Sequence, residues 1–362
     1  MLLTGDVMAG RGIDQVLPRP ADPALAEPFV ASSLDYVELA RRYSGSIPAP
    51  VEPAYVWGEA LEELRDRGFD ARIVNLETAV TRRGEPMPGK GIHYRLSPEN
   101  AQVLSAATID ACVLANNHVL DWGFEGLRDT LATLDRLGIA RAGAGLDREE
   151  AEAPAILPTA EGGRVLLFAR CLPTSGVPEA WAAGQGRPGV AYLPGLGRRE
   201  AAGLTEEISA HRREGDRVIL SIHWGPNWGY GVTRRERSFA RALVDAGVVD
   251  AVHGHSSHHP RPPELRDGRP ILYGCGDFLN DYEGIGGHEA YRPELVLLHR
   301  LEWPGHGAAG TTATMIPFRI RCFRLERASA EDARWLAETL EREGKRVGTR
   351  VTVKPDGTLE LR

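Results

Sequence analysis

The chain is poor in the features that mark several protein classes. Its 362 residues include four cysteines, Cys112, Cys171, Cys275 and Cys322. They lie far apart and form no C-x-x-C pair, so neither a disulfide framework nor a thiolate zinc site is readable. Three sit in apolar runs and read as small core residues. No apolar stretch reaches the roughly 18 residues that a membrane-crossing helix needs, which argues against a membrane partner. There is no concentrated Lys/Arg stripe and the formal net charge is -7, which argues against nucleic acid or anionic membrane as a partner. No internal repeat is visible. The first residues read as a strand rather than as an export signal, so a soluble, cytoplasmic protein is expected.

What remains is an ordinary globular composition, 42% hydrophobic and 26% charged, and one distributed pattern. Six short apolar runs each end on a residue able to hold a metal or a proton. Residues 2–5 run into Asp6, 71–76 into Glu77, and 111–115 into Asn116, Asn117 and His118. Residues 217–222 deliver His223, 248–252 deliver the cluster His253 to His259, and 270–274 deliver Cys275, Gly276 and Asp277. In open α/β sheets such groups gather beyond the carboxyl ends of the strands. The length allows one large domain or two, and a series spread from Asp6 to Asp277 favours one.

Helical patterns separate these runs. Phe124, Leu127, Leu131 and Leu134 recur at helical spacing and stop at Gly138. Ser97-Pro98-Glu99 opens a second helix, and Phe239, Leu243 and Ala246 give a third that ends at Gly247. Alternating strands and helices predict βαβ units and a largely parallel sheet. Residues 14–56 and 172–197, rich in proline or in proline and glycine, read as long loops of the lid or binding type. Beyond residue 300 metal-binding residue types thin out. Ser329 caps a helix through about Glu343, and residues 351–353 and 358–361 flank Pro355-Asp356-Gly357 as a hairpin. The division is therefore a domain over 1–325, with a helix and hairpin over 326–362 packed on it.

Imidazole suits Zn, Fe and Mn, while carboxylate and amide oxygens suit Mn, Mg and Ca. The mixture of Asp6, Glu77, Asn117, His223, His255 and His258 fits a one- or two-metal site better than a structural zinc. Trp224, Trp228 and Tyr230 follow His223 and read either as a stacking wall for a ligand or as a cover for the sheet end. Arg95 can grip a carboxylate or phosphate as a bidentate fork, with Lys90 nearby.

The ordered motifs Gly5-Asp6-Val7-Met8, Asn75-Leu76-Glu77, Asn116-Asn117-His118 with Asp121, Ser221-Ile222-His223-Trp224-Gly225, Gly254-His255-Ser256-Ser257-His258 and Gly276-Asp277-Phe278 resemble a known family. It is the CapA-like, or poly-gamma-glutamate capsule synthesis, branch of the calcineurin-like metallophosphoesterases, and the resemblance covers about residues 1–300. It implies an α/β fold, a four-layer α/β/β/α sandwich of two mixed sheets, holding one or two divalent metals drawn from Mn, Zn, Fe, Mg or Ca. On this resemblance Asp6 is the first metal aspartate, while Met8 stands where typical members have a metal-binding histidine. Glu77 takes the place of the bridging aspartate, Asn117 is the amide ligand, and His223 and His255 are further ligands. His258 or His259 completes the set, because H-x-x-H replaces the usual H-x-H. His118, oriented by Asp121, is the acid/base histidine, and His255 is a second group able to move a proton. Lys90 and Arg95 lie in a segment resembling one common in the branch, and with Trp224 and Asp277 form the expected substrate contacts.

The implied activity is a metal-dependent hydrolase acting on a phosphoester or on a glutamyl or peptide-like polymer. The alternatives are a peptide Cα epimerase, through a single Lewis-acid metal and a histidine base, and a non-catalytic accessory protein of polymer biosynthesis. The partner in each case is a small molecule, peptide or polymer, and the oligomeric state is left open.

Overall fold

The computed structural model describes residues 1–66, 68–303 and 311–362. The fold is mixed α/β, with two large sheets and nine α-helices among the described residues. In the larger sheet Leu2–Val7, Arg72–Leu76, Ala111–Val113 and Ala140–Ala142 are parallel neighbours. On the other side of Leu2–Val7 it continues through antiparallel Leu295–Glu302, Thr312–Arg321, Leu359–Leu361 and Val351–Val353. Asp277–Leu279 runs parallel beside the end of Leu2–Val7.

The second sheet has Arg164–Cys171, Arg217–His223, Ala251–His255 and Arg269–Leu272 parallel at its centre. Its edges, Ala155–Pro158 and Glu264–Arg266, are antiparallel. The expectation of largely parallel sheets therefore holds at the centres and fails at the margins. Parallel neighbours need long crossovers, whereas the edge strands return through short turns.

The parallel strands are apolar on both faces because both faces are covered. Leu3 and Val113 of the larger sheet share one core cluster with Leu167, Ile219 and Ala251 of the second, so the sheets pack against each other. Alternate residues Leu166, Leu220 and Val252 pack instead with Leu204, Ile208, Phe239 and Leu243. Those last four belong to the helices Arg198–His211 and Arg234–Asp245. Each such Leu or Ile contributes about 1.5–3 kcal/mol of burial, so truncation to Ala on either face costs about 2–5 kcal/mol.

Local chemistry sets the helix ends. Gly123–Leu137 stops at Gly138, whose φ of 68° is the left-handed conformation glycine tolerates. Thr233 with Glu236 and Ser329 with Asp332 form capping boxes for Arg234–Asp245 and Ala330–Glu343. The helix expected from Ser97 differs: it spans Gln102–Ala106, because the Ser97 amide is engaged by Asp14 and its hydroxyl by Glu99. The stretch 14–56 contains the helix Leu34–Ser44. The stretch 172–197 is mostly irregular, pinned where Gly189–Val190 pairs with Ala144–Gly145. The boundary drawn at 325 falls inside the strand Arg324–Arg327, and the C-terminal hairpin adds two strands to the larger sheet. Among the described residues no helix is long and apolar enough to cross a membrane.

Candidate metal centre

Side chains alternate along a strand, so Ile219, Ser221 and His223 share one face, as do Ala251, His253 and His255. In register Ser221 lies beside His253 and His223 beside His255. The face that buries Ile219 and Ala251 between the sheets thus turns polar toward the carboxyl ends of its strands. Across from it, Asp6 pairs in register with Asn75 on one side and Asp277 on the other. Gly5 makes that approach possible: a Cβ there would lie 1.7 Å from the Gly276 carbonyl oxygen. The Asp6 amide donates to that oxygen at 2.9 Å.

Two groups of buried side chains converge on Asp6. Asp6, His223 and His255 form one and Asp6, His258 and Asp277 the other, each with ligand atoms all within 4.8 Å of one another. Around the first, His223 Nε2 lies 2.9 Å from Asn117 Oδ1 and 3.6 Å from Glu77 Oε1. His223 Nδ1 and His255 Nδ1 are 2.6 Å apart. In the second, His258 Nδ1 is 2.9 Å from Asp277 Oδ1, and Asn280 donates to Asp277 Oδ2 at 2.8 Å. Asn75 donates to Asp6 Oδ1 at 2.7 Å, while Asp6 Oδ2 is buried with no hydrogen-bond partner. An orphaned carboxylate oxygen among converging imidazoles, carboxylates and an amide is a donor set that fits a divalent cation.

The electrostatics agree. Burial, then the neighbouring Asp277 charge, pushes Asp6 up to about 8, against the Asn75 hydrogen bond and His258. Burial and then Asp6 raise Glu77 well above the carboxylate range. Burial and neighbouring imidazoles hold His223 and His255 well below 6.5. Burial pulls His258 down too, but Asp277 and Asp6 outweigh it and its pKa is raised. Like charges crowded out of water disfavour one another, and a cation relieves all of them together.

Beside this cluster His118 Nδ1 meets Asp121 Oδ2 at 2.7 Å. That oxygen also accepts the Tyr94 amide at 2.7 Å, and Lys90 bonds Asp121 Oδ1 and the Asn117 carbonyl. Burial lowers His118 to about 4 despite Asp121. The imidazole is therefore neutral at pH 7, with Nδ1 committed to Asp121.

Several expected contacts fall elsewhere. Trp224 is fully buried, donates to the Tyr273 carbonyl at 2.8 Å and belongs to the helix-side core. It follows His223 by one residue and so faces away from it. The aromatic wall is made instead by Trp228, 5.3 Å from His258 and stacked on His288 at 3.7 Å, and by Tyr230, 4.4 Å from His259. Arg95 points away from the cluster, its guanidinium 2.9 Å from the centre of the Trp122 ring. Its neighbour Tyr94 faces His118 at 4.7 Å. His259 accepts the Gly229 amide at 3.1 Å, so His258 is the histidine beside Asp6. Asp277, expected among the substrate contacts, is 1% exposed and sits in the second group.

Other residues had weaker signals or none. Ser221 and His253 precede His223 and His255 by two, a period-two hint in the strands themselves. Arg11, held at φ 54°, is buried against Asp281 at 2.8 Å and lies over Tyr36 at 3.7 Å. Tyr282 lies 3.1 Å from the Tyr94 hydroxyl and 3.5 Å from His258 Nε2.

Comparison with known proteins follows the same residues. The family described as Bacterial capsule synthesis protein PGA_cap matches residues 1–282. A probable polyglutamine synthesis accessory protein of Mycobacterium tuberculosis is 45% identical over 362 residues, covering 100% of this chain and 95% of the relative. The PGA biosynthesis protein CapA of Bacillus subtilis is 27% identical, covering 78% of this chain and 70% of the relative. The capsule biosynthesis protein CapA of Bacillus anthracis is 25% identical, covering 78% and 59%. With a family match that spans the site from Asp6 to Asp277, and a relative alike over the full length, the chain belongs to the bacterial capsule synthesis, CapA-like family.

Proposed function

We propose that the protein is a metal-dependent hydrolase acting on a phosphoester or on a glutamyl or peptide-like bond of a polymer. The observation that carries this reading is the Asp6 carboxylate, shared by both groups with Oδ2 unpartnered. His223, His255, Asn117 and Glu77 would hold one cation with Asp6, and His258 and Asp277 a second. Asp277 then supplies the ligand that Met8 cannot. Bound divalent metal would supply Lewis acidity and a water of lowered pKa. His118, neutral and tied through Nδ1 to Asp121, keeps Nε2 free to take or return a proton, and Lys90 fixes Asp121. Two large mixed sheets sharing one core support the four-layer sandwich that such sites occupy. Elemental analysis with anomalous diffraction at the metal edges counts the ions. Metal-loaded protein should then cleave aryl phosphates or γ-glutamyl amides, and inactivity on both with every metal sinks the proposal.

The aromatic wall of Trp228 against His258 supports a second reading, a peptide Cα epimerase. Solvent deuterium entering a peptide Cα without cleavage would select it. The M. tuberculosis relative's name supports a third, a non-catalytic accessory role. In that case His118→Ala leaves the cellular role intact.

A further inference from the structure

We infer that Ser221 and His253 are positioning residues that hold His255 in the one tautomer able to present a bare Nδ1 to a cation. The inference rests on the metal-site reading above. A chain of hydrogen bonds runs between the two sheets: His253 Nε2 lies 2.7 Å from the Thr4 carbonyl, and His253 Nδ1 lies 3.0 Å from Ser221 Oγ. Ser221 Oγ in turn lies 2.8 Å from His255 Nε2. All four residues are at most 1% exposed, so water cannot reassign the partners.

The direction of the chain is fixed at its far end. A carbonyl oxygen only accepts, so His253 Nε2 carries the proton. A neutral His253 then accepts the Ser221 hydroxyl proton at Nδ1. Ser221 Oγ, its proton spent, accepts from His255 Nε2–H. That leaves His255 Nδ1 as a lone pair, 2.6 Å from His223 Nδ1 and inside the group it forms with Asp6. A metal-bound imidazole needs its other nitrogen protonated and held in this way. Here the holder is a serine backed by a second histidine, and the final acceptor is the backbone of the opposite sheet.

The test uses the full chain. Nitrogen-15 histidine spectra of the metal-free protein should report His255 protonated at Nε2 and His253 protonated at Nε2. The reverse assignment at either ring overturns the inference without reference to any metal. Calorimetric titration with Mn²⁺ or Zn²⁺ should then give a Ser221→Ala dissociation constant about 10- to 100-fold weaker than the unaltered protein. The same variant should lose the single His255 tautomer while its circular dichroism is unchanged. An unaltered affinity and an unaltered His255 tautomer in Ser221→Ala overturn the inference. Failure of the unaltered protein to bind either ion instead overturns the metal-site reading, which keeps the two failures separate.

Discussion

The two groups that meet at Asp6 differ in what surrounds them. His223 and His255 sit deep between the sheets, flanked by an amide, a hydroxyl and each other, and burial keeps both imidazoles neutral. His258 and Asp277 form a hydrogen-bonded couple nearer the surface, with His258 8% exposed, where against burial the charges of Asp277 and Asp6 raise the histidine's pKa. The first offers two imidazoles beside Asp6, with Glu77 and Asn117 at its margin, a set suited to Zn, Fe or Mn. The second offers two carboxylates and one imidazole, a harder set that also suits Mn, Mg or Ca. The two groups share Asp6 and differ because the first draws His223 and His255 from strands of the second sheet, whereas the second combines Asp277 of the larger sheet with His258 from the loop after Ala251–His255.

Asp6→Asn should collapse the comparison, since both groups use that carboxylate. Elemental analysis is expected to find neither cation, and turnover to fall by more than the about 100-fold that marks changes behind the ligands. Asp277→Asn should instead separate the groups. Titration is expected to give at least about 10-fold weaker binding of one ion, with the other retained at its original affinity.

Acidity should sharpen the same contrast. A histidine with a raised pKa keeps its proton to higher pH, and the proton competes with a cation for the same lone pair. As pH drops His258 should therefore take up its proton before His223 and His255, whose pKa values are depressed, while protonation of Asp6, raised to about 8 and common to both groups, weakens both ions together. Nitrogen-15 histidine titrations of the metal-free protein between about pH 5 and 8 read that order directly, and protonation of His223 or His255 ahead of His258 would contradict it. The smallest effect is expected from Tyr282→Phe, which removes one hydroxyl beside His258. The cost is about 1 kcal/mol of ligand binding at the second group, seen as a shift in dissociation constant with nothing lost at the first.

Much of the α/β fold is legible in the sequence, for a definite reason. Apolar runs of four to six residues that lead into Asp6, Glu77, His223 and the His253–His259 cluster announce buried strands and the polar residues gathered at their ends. The expected contacts depart from the structure where a one-residue step matters. Trp224 and Arg95 each lie next to a residue that faces the cluster, His223 and Tyr94, and beside a strand adjacent residues face opposite ways, a face not marked by residue type alone. Asp277 is expected as a substrate contact, whereas its partnership with His258 depends on a fold-back of 19 residues. Arg11 and Asp281 carried no signal, since 270 residues separate a pair that meets only in three dimensions. The capping boxes at Thr233 and Ser329 involve residues three apart, and local chemistry of that range can be read from sequence.

The absence of a side chain at position 5 has a wider consequence. The strands that carry Asp6 and Asp277 touch backbone to backbone, so the separation of those two Cα atoms is built into the main chain and is not adjusted by substituting either residue. Exchanging ligands around Asp6 can re-equip the centre for other ions or other chemistry. A redesign that needs a wider spacing of those two backbones must begin by rebuilding the parallel pairing of the strands.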